Sequence, residues 1–373
     1  MKRRNFDHEI LLFQGGGALG AYQAGIYEGL AAEGMTPNWF VGISIGAVNS
    51  AILAGNPPER RLERLRAFWD RVSAYAPLTP PAMLGALRPF MDRLSVWSVA
   101  TFGIPGFFVP RIPPPLMAPS ASPEALSFYD TAPLKQTLEE LVDFDLINQR
   151  KTRLSLGAVN VRTGASVYFD NQHTRIEPEH VLASGALPPG FPAVEIDGEA
   201  YWDGGLVSNT PLNYVWDQKP MTTALIVQVN LFPGEGELPG DLDQVMERAK
   251  DIQFCSKQRF NTQHVRVLGE LNAAMGRVLS KLPPELEADP DVKFIAQHCD
   301  TREWTIAYLT NSHRSHAGQM KDAEFSRATV NERWTEGLED IRRSIAEFEW
   351  TQPTVDVPGV RLYNLPPATP AGK

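Results

Sequence analysis

The stretch Val41-Gly42-Ile43-Ser44-Ile45-Gly46-Ala47 constrains the chain most. It reads as the end of a strand, a tight turn and the start of a helix. Ser44 stands at the tip between two glycines, the G-x-S-x-G pattern of a nucleophile elbow. Such a turn strains the serine backbone and exposes its hydroxyl. The glycines let neighbouring backbone approach without a clashing Cβ. The following helix aims the positive end of its dipole at the serine. The same string also suits a turn of small residues where a helix packs on a sheet, so its weight depends on the rest of the chain.

A second glycine cluster precedes it. Glu9 to Gln14 is a short apolar run, read as a buried parallel strand. Gly15-Gly16-Gly17-Ala18-Leu19-Gly20 follows, and Ala21 to Glu33 has apolar residues at helical spacing. A strand, a glycine loop and a helix in succession leave backbone N–H groups pointing outward, where they bind anions. Two functions fit: a phosphate cradle or an oxyanion hole. Gly15, Gly17 and Gly20 match G-x-G-x-x-G, which keeps a dinucleotide-binding oxidoreductase open. That fold wants an acid at the end of the second strand about twenty residues on. The strand near Trp39 to Ile43 ends in Ser44 instead, which favours the oxyanion hole.

A serine hydroxyl needs a base. Of the seven histidines, His264, His298, His313 and His316 lie late enough in the chain for a Ser-Asp-His order, but none sits in a Gly-rich turn after a clear strand. His313 is the best placed of them. Asp203 is more telling, because it ends the strand Ala200 to Trp202 and precedes Gly204-Gly205. A carboxylate with an ordinary pKa near ~4 is a weak base, but a desolvated site raises its proton affinity. His298, Cys299, His313 and His316 fit no usual zinc spacing, and no metal or cofactor is called for.

The rest of the chain sets limits. Helices are expected at Ile45 to Ala54 and Glu59 to Ala74. Residues 76–127 are rich in proline and large apolar side chains, including Met83, Leu84, Phe90, Met91, Trp97, Phe102, Phe107, Phe108 and Met117. This composition suits a lid or the wall of a lipophilic cleft. Arg153 to Val161 and Ala165 to Phe169 read as two strands with a tight turn, and Thr223 to Leu231 as a strong strand. Asp241 to Leu282 and Lys321 to Phe348 read as helical, with a last strand at Arg302 to Leu309. The final twenty residues, rich in proline, read as irregular. The net charge of −9 argues against nucleic acid, which needs a basic face. Two cysteines make no disulfide framework, so a reducing cytosol is the simpler reading. No run approaches the ~18 apolar residues of a spanning helix, so the expectation is a soluble protein, peripheral to a membrane at most.

Taken in order, the glycine loop, G-x-S-x-G, Ala183-Ser184-Gly185-Ala186-Leu187-Pro188 and Asp203-Gly204-Gly205 resemble the patatin-like phospholipases. The resemblance covers roughly residues 8–232. It implies a three-layer α/β/α fold with a mainly parallel sheet and lipid acyl hydrolysis by a Ser-Asp dyad without histidine. Ser44 would be the nucleophile, Asp203 the base, and Gly15, Gly16, Gly17 and Ala18 the source of oxyanion-hole N–H groups. Residues 233–350 would be a mostly helical extension and 351–373 an irregular tail. The family's loop often has Lys or Arg where this chain has Leu19, so phospholipid and uncharged ester stay equally open as substrates. An oligomer and a non-catalytic lipid-binding scaffold also stay open.

Overall fold

Short apolar runs bounded by glycine and polar turns become strands here. The computed structural model describes residues 6–74, 88–120, 122–218, 223–299, 303–313, 318–347, 349–351 and 359–365. The chain begins with β1 (His8–Phe13), α1 (Gly20–Ala32), β2 (Trp39–Ile43), α2 (Ile45–Ala54) and α3 (Pro58–Val72). It continues through α4 (Arg88–Phe102), β3 (Val109–Pro110), β4 (Tyr129–Asp130), α5 (Ala132–Leu141) and α6 (Phe144–Asn148). Then come β5 (Arg153–Asn160), β6 (Ser166–Asp170), α7 (Pro178–Ser184), β7 (Val194–Ile196), β8 (Glu199–Asp203) and α8 (Leu212–Asp217). The last elements are β9 (Thr223–Asn230), α9 (Leu242–Leu279), α10 (Pro290–His298), β10 (Glu303–Thr310), α11 (Arg327–Glu347) and β11 (Gly359–Leu365).

The main sheet has the order β11-β10-β9-β1-β2-β5-β8-β7, with β6 also paired to β5. Strands β11 through β5 run parallel, and β6, β8 and β7 add antiparallel pairings at one side. Alternation along β1 divides the core. Leu11 and Phe13 pack with Tyr22, Phe68, Trp69 and Trp334 on the face covered by α1, α2, α3 and α11. Ile10 and Leu12 pack with Leu212, Val215 and Val265 on the face covered by α8 and α9. Helices on both faces of a largely parallel sheet make three layers, and β1, β2 and β9, covered on both sides, read as continuous apolar runs. Among the described residues, no helix is long and apolar enough to cross a membrane.

Two expectations change. The C-terminal part is not a helical appendage, because β10 lies inside the main sheet between β9 and β11. The last twenty residues are not wholly irregular either. Gly359–Leu365 pairs in parallel with Glu303–Leu309, placing Val360 and Leu362 on one core face and Tyr363 and Leu365 on the other. Flanking prolines hid this strand: proline cannot donate to a ladder but is tolerated beside an edge strand. Residues 352–358 and 366–373 lie outside the described part.

Candidate active site

The β2–α2 turn has the strain its sequence demands. Ser44 adopts φ 56° and ψ −125°, a left-handed conformation rare for a residue with a side chain. The two glycines answer close backbone approaches. A Cβ on Gly42 would lie 2.2 Å from the Gly46 carbonyl oxygen, and one on Gly46 would lie 2.3 Å from that of Phe13. The turn is anchored from α7. The Ser44 N–H donates to both the carbonyl and the hydroxyl oxygen of Ser184, each at 3.1 Å. The Ser184 hydroxyl in turn donates to the Gly157 carbonyl of β5 at 2.6 Å.

Asp203 ends β8 and is only 2% exposed. Its N–H donates to the Ala186 carbonyl at 3.0 Å, and its Oδ1 accepts the Gly205 N–H at 2.7 Å. The Ser44 side chain stands beside the carboxylate, close enough for hydrogen bonding to favour the ionised form. Burial outweighs both hydrogen bonds and pushes the carboxyl up to about 6. A carboxylate of that proton affinity is a far better base at neutral pH than an exposed one.

The glycine loop is only partly as expected. The Gly15 N–H donates to Asn209 Oδ1 at 3.1 Å, and Asn209 Nδ2 donates back to the Gly15 carbonyl at 3.0 Å. Gly15 is therefore clamped, and its N–H is not free for an oxyanion. Ala18 is fully buried and does not line the cavity. Gly16 and Gly17 do line it, and among the described residues their N–H groups meet no acceptor. A buried polar network holds the loop from below. Gln23 donates to the Gln14 carbonyl at 2.7 Å, Asn49 to Gln23 Oε1 at 2.9 Å, and the Trp69 indole to Asn49 Oδ1 at 3.1 Å. From above, the 318–325 segment closes in: a Cβ on Gly17 would lie 2.2 Å from the Asp322 carbonyl oxygen.

Ser44, Asp203, Gly16 and Gly17 open on one cavity of about 190 Å³. Among the described residues that line it, only Asp203 and Asp322 carry charge, and Asp322 is paired with Lys250 at 2.7 Å. The remaining wall is mainly apolar, with Phe107 packed edge-on and tilted against Phe191, Phe108 and Phe325. The proline-rich segment contributes Val99, Phe107 and Phe108 to this wall, whereas Trp97, Phe102 and Met117 face solvent. Met83 and Leu84 lie outside the described residues.

No histidine lines the cavity among the described residues. His313 is engaged elsewhere, with Nε2 at 2.9 Å from Asp340 and Nδ1 at 3.6 Å from Glu336. Burial disfavours its cation, but the Asp340 hydrogen bond and the two carboxylates outweigh this and hold its pKa above the usual value. His298 contacts the Phe294 carbonyl and Cys299 the Asn272 carbonyl, while His316 lies outside the described residues. The sequence names Ser184 only as part of the Ala183 to Pro188 stretch and gives it no role, and it does not single out Asn209 or the Asp322–Phe325 roof. Ser-Asn-Thr-Pro after Asp203-Gly204-Gly205 is the one local hint of Asn209, since nothing near Gly15 names its partner.

The family model for patatin-like phospholipase matches residues 11–216, and a second one, described as patatin phospholipase, matches residues 252–356. A cGAMP-activated phospholipase of Pseudomonas aeruginosa is 35% identical over 91 residues, which are 22% of this chain and 27% of that protein. Among solved structures, VipD from Legionella pneumophila aligns with a TM-score of 0.38 at 13% identity, over 90% of this chain and 67% of its own. ExoU in complex with SpcU, from the type III secretion system of Pseudomonas aeruginosa, aligns with a TM-score of 0.28 at 15% identity, over 79% of this chain and 61% of its own.

Proposed function

Because the chain belongs to the patatin-like phospholipase family, we propose that it hydrolyses lipid esters, with Ser44 as nucleophile and Asp203 as its base. One observation carries the reading: a buried carboxyl raised to about 6 stands beside the hydroxyl of a strained elbow serine. Asp203 takes the Ser44 proton as Oγ attacks the ester carbonyl. The developing oxyanion is received by the N–H groups of Gly16 and Gly17, each such donor typically worth about 3 kcal/mol. The carbon–oxygen bond to the alcohol breaks, and the alcohol leaves with the proton held by Asp203. Water then attacks the acyl-serine, Asp203 takes its proton, and the fatty acid departs as Ser44 regains its own. Asn209 keeps Gly15 in place and thereby the two free N–H groups after it. The acyl chain lies among Phe107, Phe191, Phe325 and Leu134, where burial contributes roughly 0.8 kcal/mol per methylene.

The test is turnover of a series of p-nitrophenyl esters by the wild-type protein beside Ser44→Ala and Asp203→Asn. Both variants are expected to lose at least about a thousandfold in kcat, as removal of a covalent nucleophile or its base does. Undiminished turnover in Ser44→Ala rules the mechanism out.

A further inference from the structure

The segment that walls the cavity has a second, outer side. Trp97 and Phe102 of α4 are 72% and 73% exposed, Ile112 90%, Leu116 94%, Met117 78% and Leu126 68%. Single exposed apolar residues are ordinary, but several carried by one piece of structure point to a contact surface. These belong to one piece of structure. β3 pairs with β4, the Arg111 N–H donates to the Phe128 carbonyl, and the Tyr129 hydroxyl donates to the Ala100 carbonyl of α4 at 2.9 Å. The same piece reaches the site. Val99 lies two positions beyond Trp97 and lines the cavity with Phe107 and Phe108. The N–H groups of Phe128 and Tyr129 donate to the carbonyls of Pro189 and Gly190, close in sequence to Leu187, which lines the cavity and is itself 36% exposed.

Charge distinguishes the kinds of surface that could meet it. Between residues 94 and 128 the chain carries only Arg111 and Glu124 as charged residues. The Arg111 side chain is 12% exposed and turned to the Ser127 hydroxyl at 2.8 Å and to Asp130 at 3.8 Å. On the flank, Arg93 faces Asp243, and beyond it Asp241, Asp243 and Glu247 border a polar cleft. Among the described residues of 94–128, the single cation, Arg111, is turned inward and offers anionic headgroups no contact, and the acidic residues of the flank repel them.

We propose that this outer face docks on a zwitterionic lipid surface by inserting Trp97, Phe102, Ile112, Leu116, Met117 and Leu126, so that the cavity opens toward the layer from which the ester is drawn. The inference rests on the lipid-ester reading above, since it is the shared wall that ties this face to the site. Apolar insertion, not headgroup charge, supplies the binding.

Flotation of the full-length protein with phosphatidylcholine vesicles tests it, with and without phosphatidylserine, together with the fluorescence of Trp97 read against Trp97→Phe. The expected result is binding to phosphatidylcholine, weakened by phosphatidylserine, with a blue shift and bromolipid quenching that Trp97→Phe removes. The double variant Trp97→Ser with Leu116→Ser is expected to lower the partition coefficient at least about tenfold, the equivalent of one fully buried side chain. It should turn over a water-soluble p-nitrophenyl ester at the wild-type rate, since neither residue lines the cavity. Absence of vesicle binding, binding that the double variant retains, or binding only to phosphatidylserine vesicles overturns the proposal. So does a dimer in light scattering that the double variant disperses without any vesicle binding. Failure of the soluble-ester assay in the wild-type protein strikes the hydrolase reading instead, and flotation still judges the surface.

Discussion

Asp203 is a carboxyl held almost out of water with two hydrogen bonds to compensate. Its proton affinity is higher in the folded protein than in the unfolded chain, where it titrates near ~4. The folded state is therefore favoured by that proton at low pH and loses the advantage as pH rises through about 6. At pH 8 the ionised group costs stability, by up to about 3 kcal/mol. Asp203→Asn carries no charge to bury, and its Oδ1 still accepts the Gly205 N–H. Thermal melts should show Asp203→Asn more stable than wild type at pH 8, with the gain vanishing near pH 4, while turnover is lost at both. A wild-type melt at pH 8 contradicts the buried charge. Ser44 and Asp203 were readable because each sits in a motif that encodes its own backbone turn. Asn209, and the role of Ser184 within its own motif, were not, because their partners, Gly15 and Gly157, are far along the chain. The expectation that Gly15 donates to an oxyanion fails for the same reason: the side chain that takes its N–H could not be placed from local sequence.

At the scale of elements, the α1–α11 crossing decides how closely the roof approaches the glycine loop. A Cβ on Gly25 would lie 1.9 Å from the Trp334 carbonyl oxygen, and one on Gly337 would lie 2.2 Å from that of Tyr22. The backbones touch there, and Tyr22 donates to Asp340 across the contact at 2.8 Å. Arg66 stacks over the Trp334 ring and pairs with Glu28. α1 begins where the glycine loop ends, and α11 begins two residues after Phe325. Gly25→Ala must push the helices apart. The expected cost is about 2 kcal/mol or more in urea melts, with a fall in ester turnover as the Asp322–Phe325 roof lifts from Gly17. Full stability and activity in this variant would show that the crossing is looser than described. Helical spacing made α1 and α11 legible as helices, but such a pattern names a buried face and not its partner. The strand β11 escaped because the prolines around it resemble those of an irregular tail.

Over the whole molecule, a single sheet joins parts that the sequence divides. β9 carries β1 on one side and β10 on the other, so the segment after residue 232 completes the sheet that positions Ser44. It also supplies Phe254, Asp322, Ala323 and Phe325 to the cavity. The parallel first strand was foreseen from its apolar run, and the mainly parallel three-layer sheet from the resemblance to patatin-like phospholipases. The union of the two halves was not, because side chains meeting across a sheet leave no mark in local periodicity. Within the first half, the run β2–β5–β8 brings a serine from the end of the second strand and a carboxylate from the end of the eighth to one cavity. Peptide-resolved mass spectrometry of fluorophosphonate labelling, followed as a rate against pH, tests their partnership most directly. A single adduct on Ser44, forming at a rate that rises through about pH 6 and is lost in Asp203→Asn, is the result expected from a carboxyl raised to that value. An adduct on any other residue, or labelling of Asp203→Asn at the wild-type rate, contradicts it.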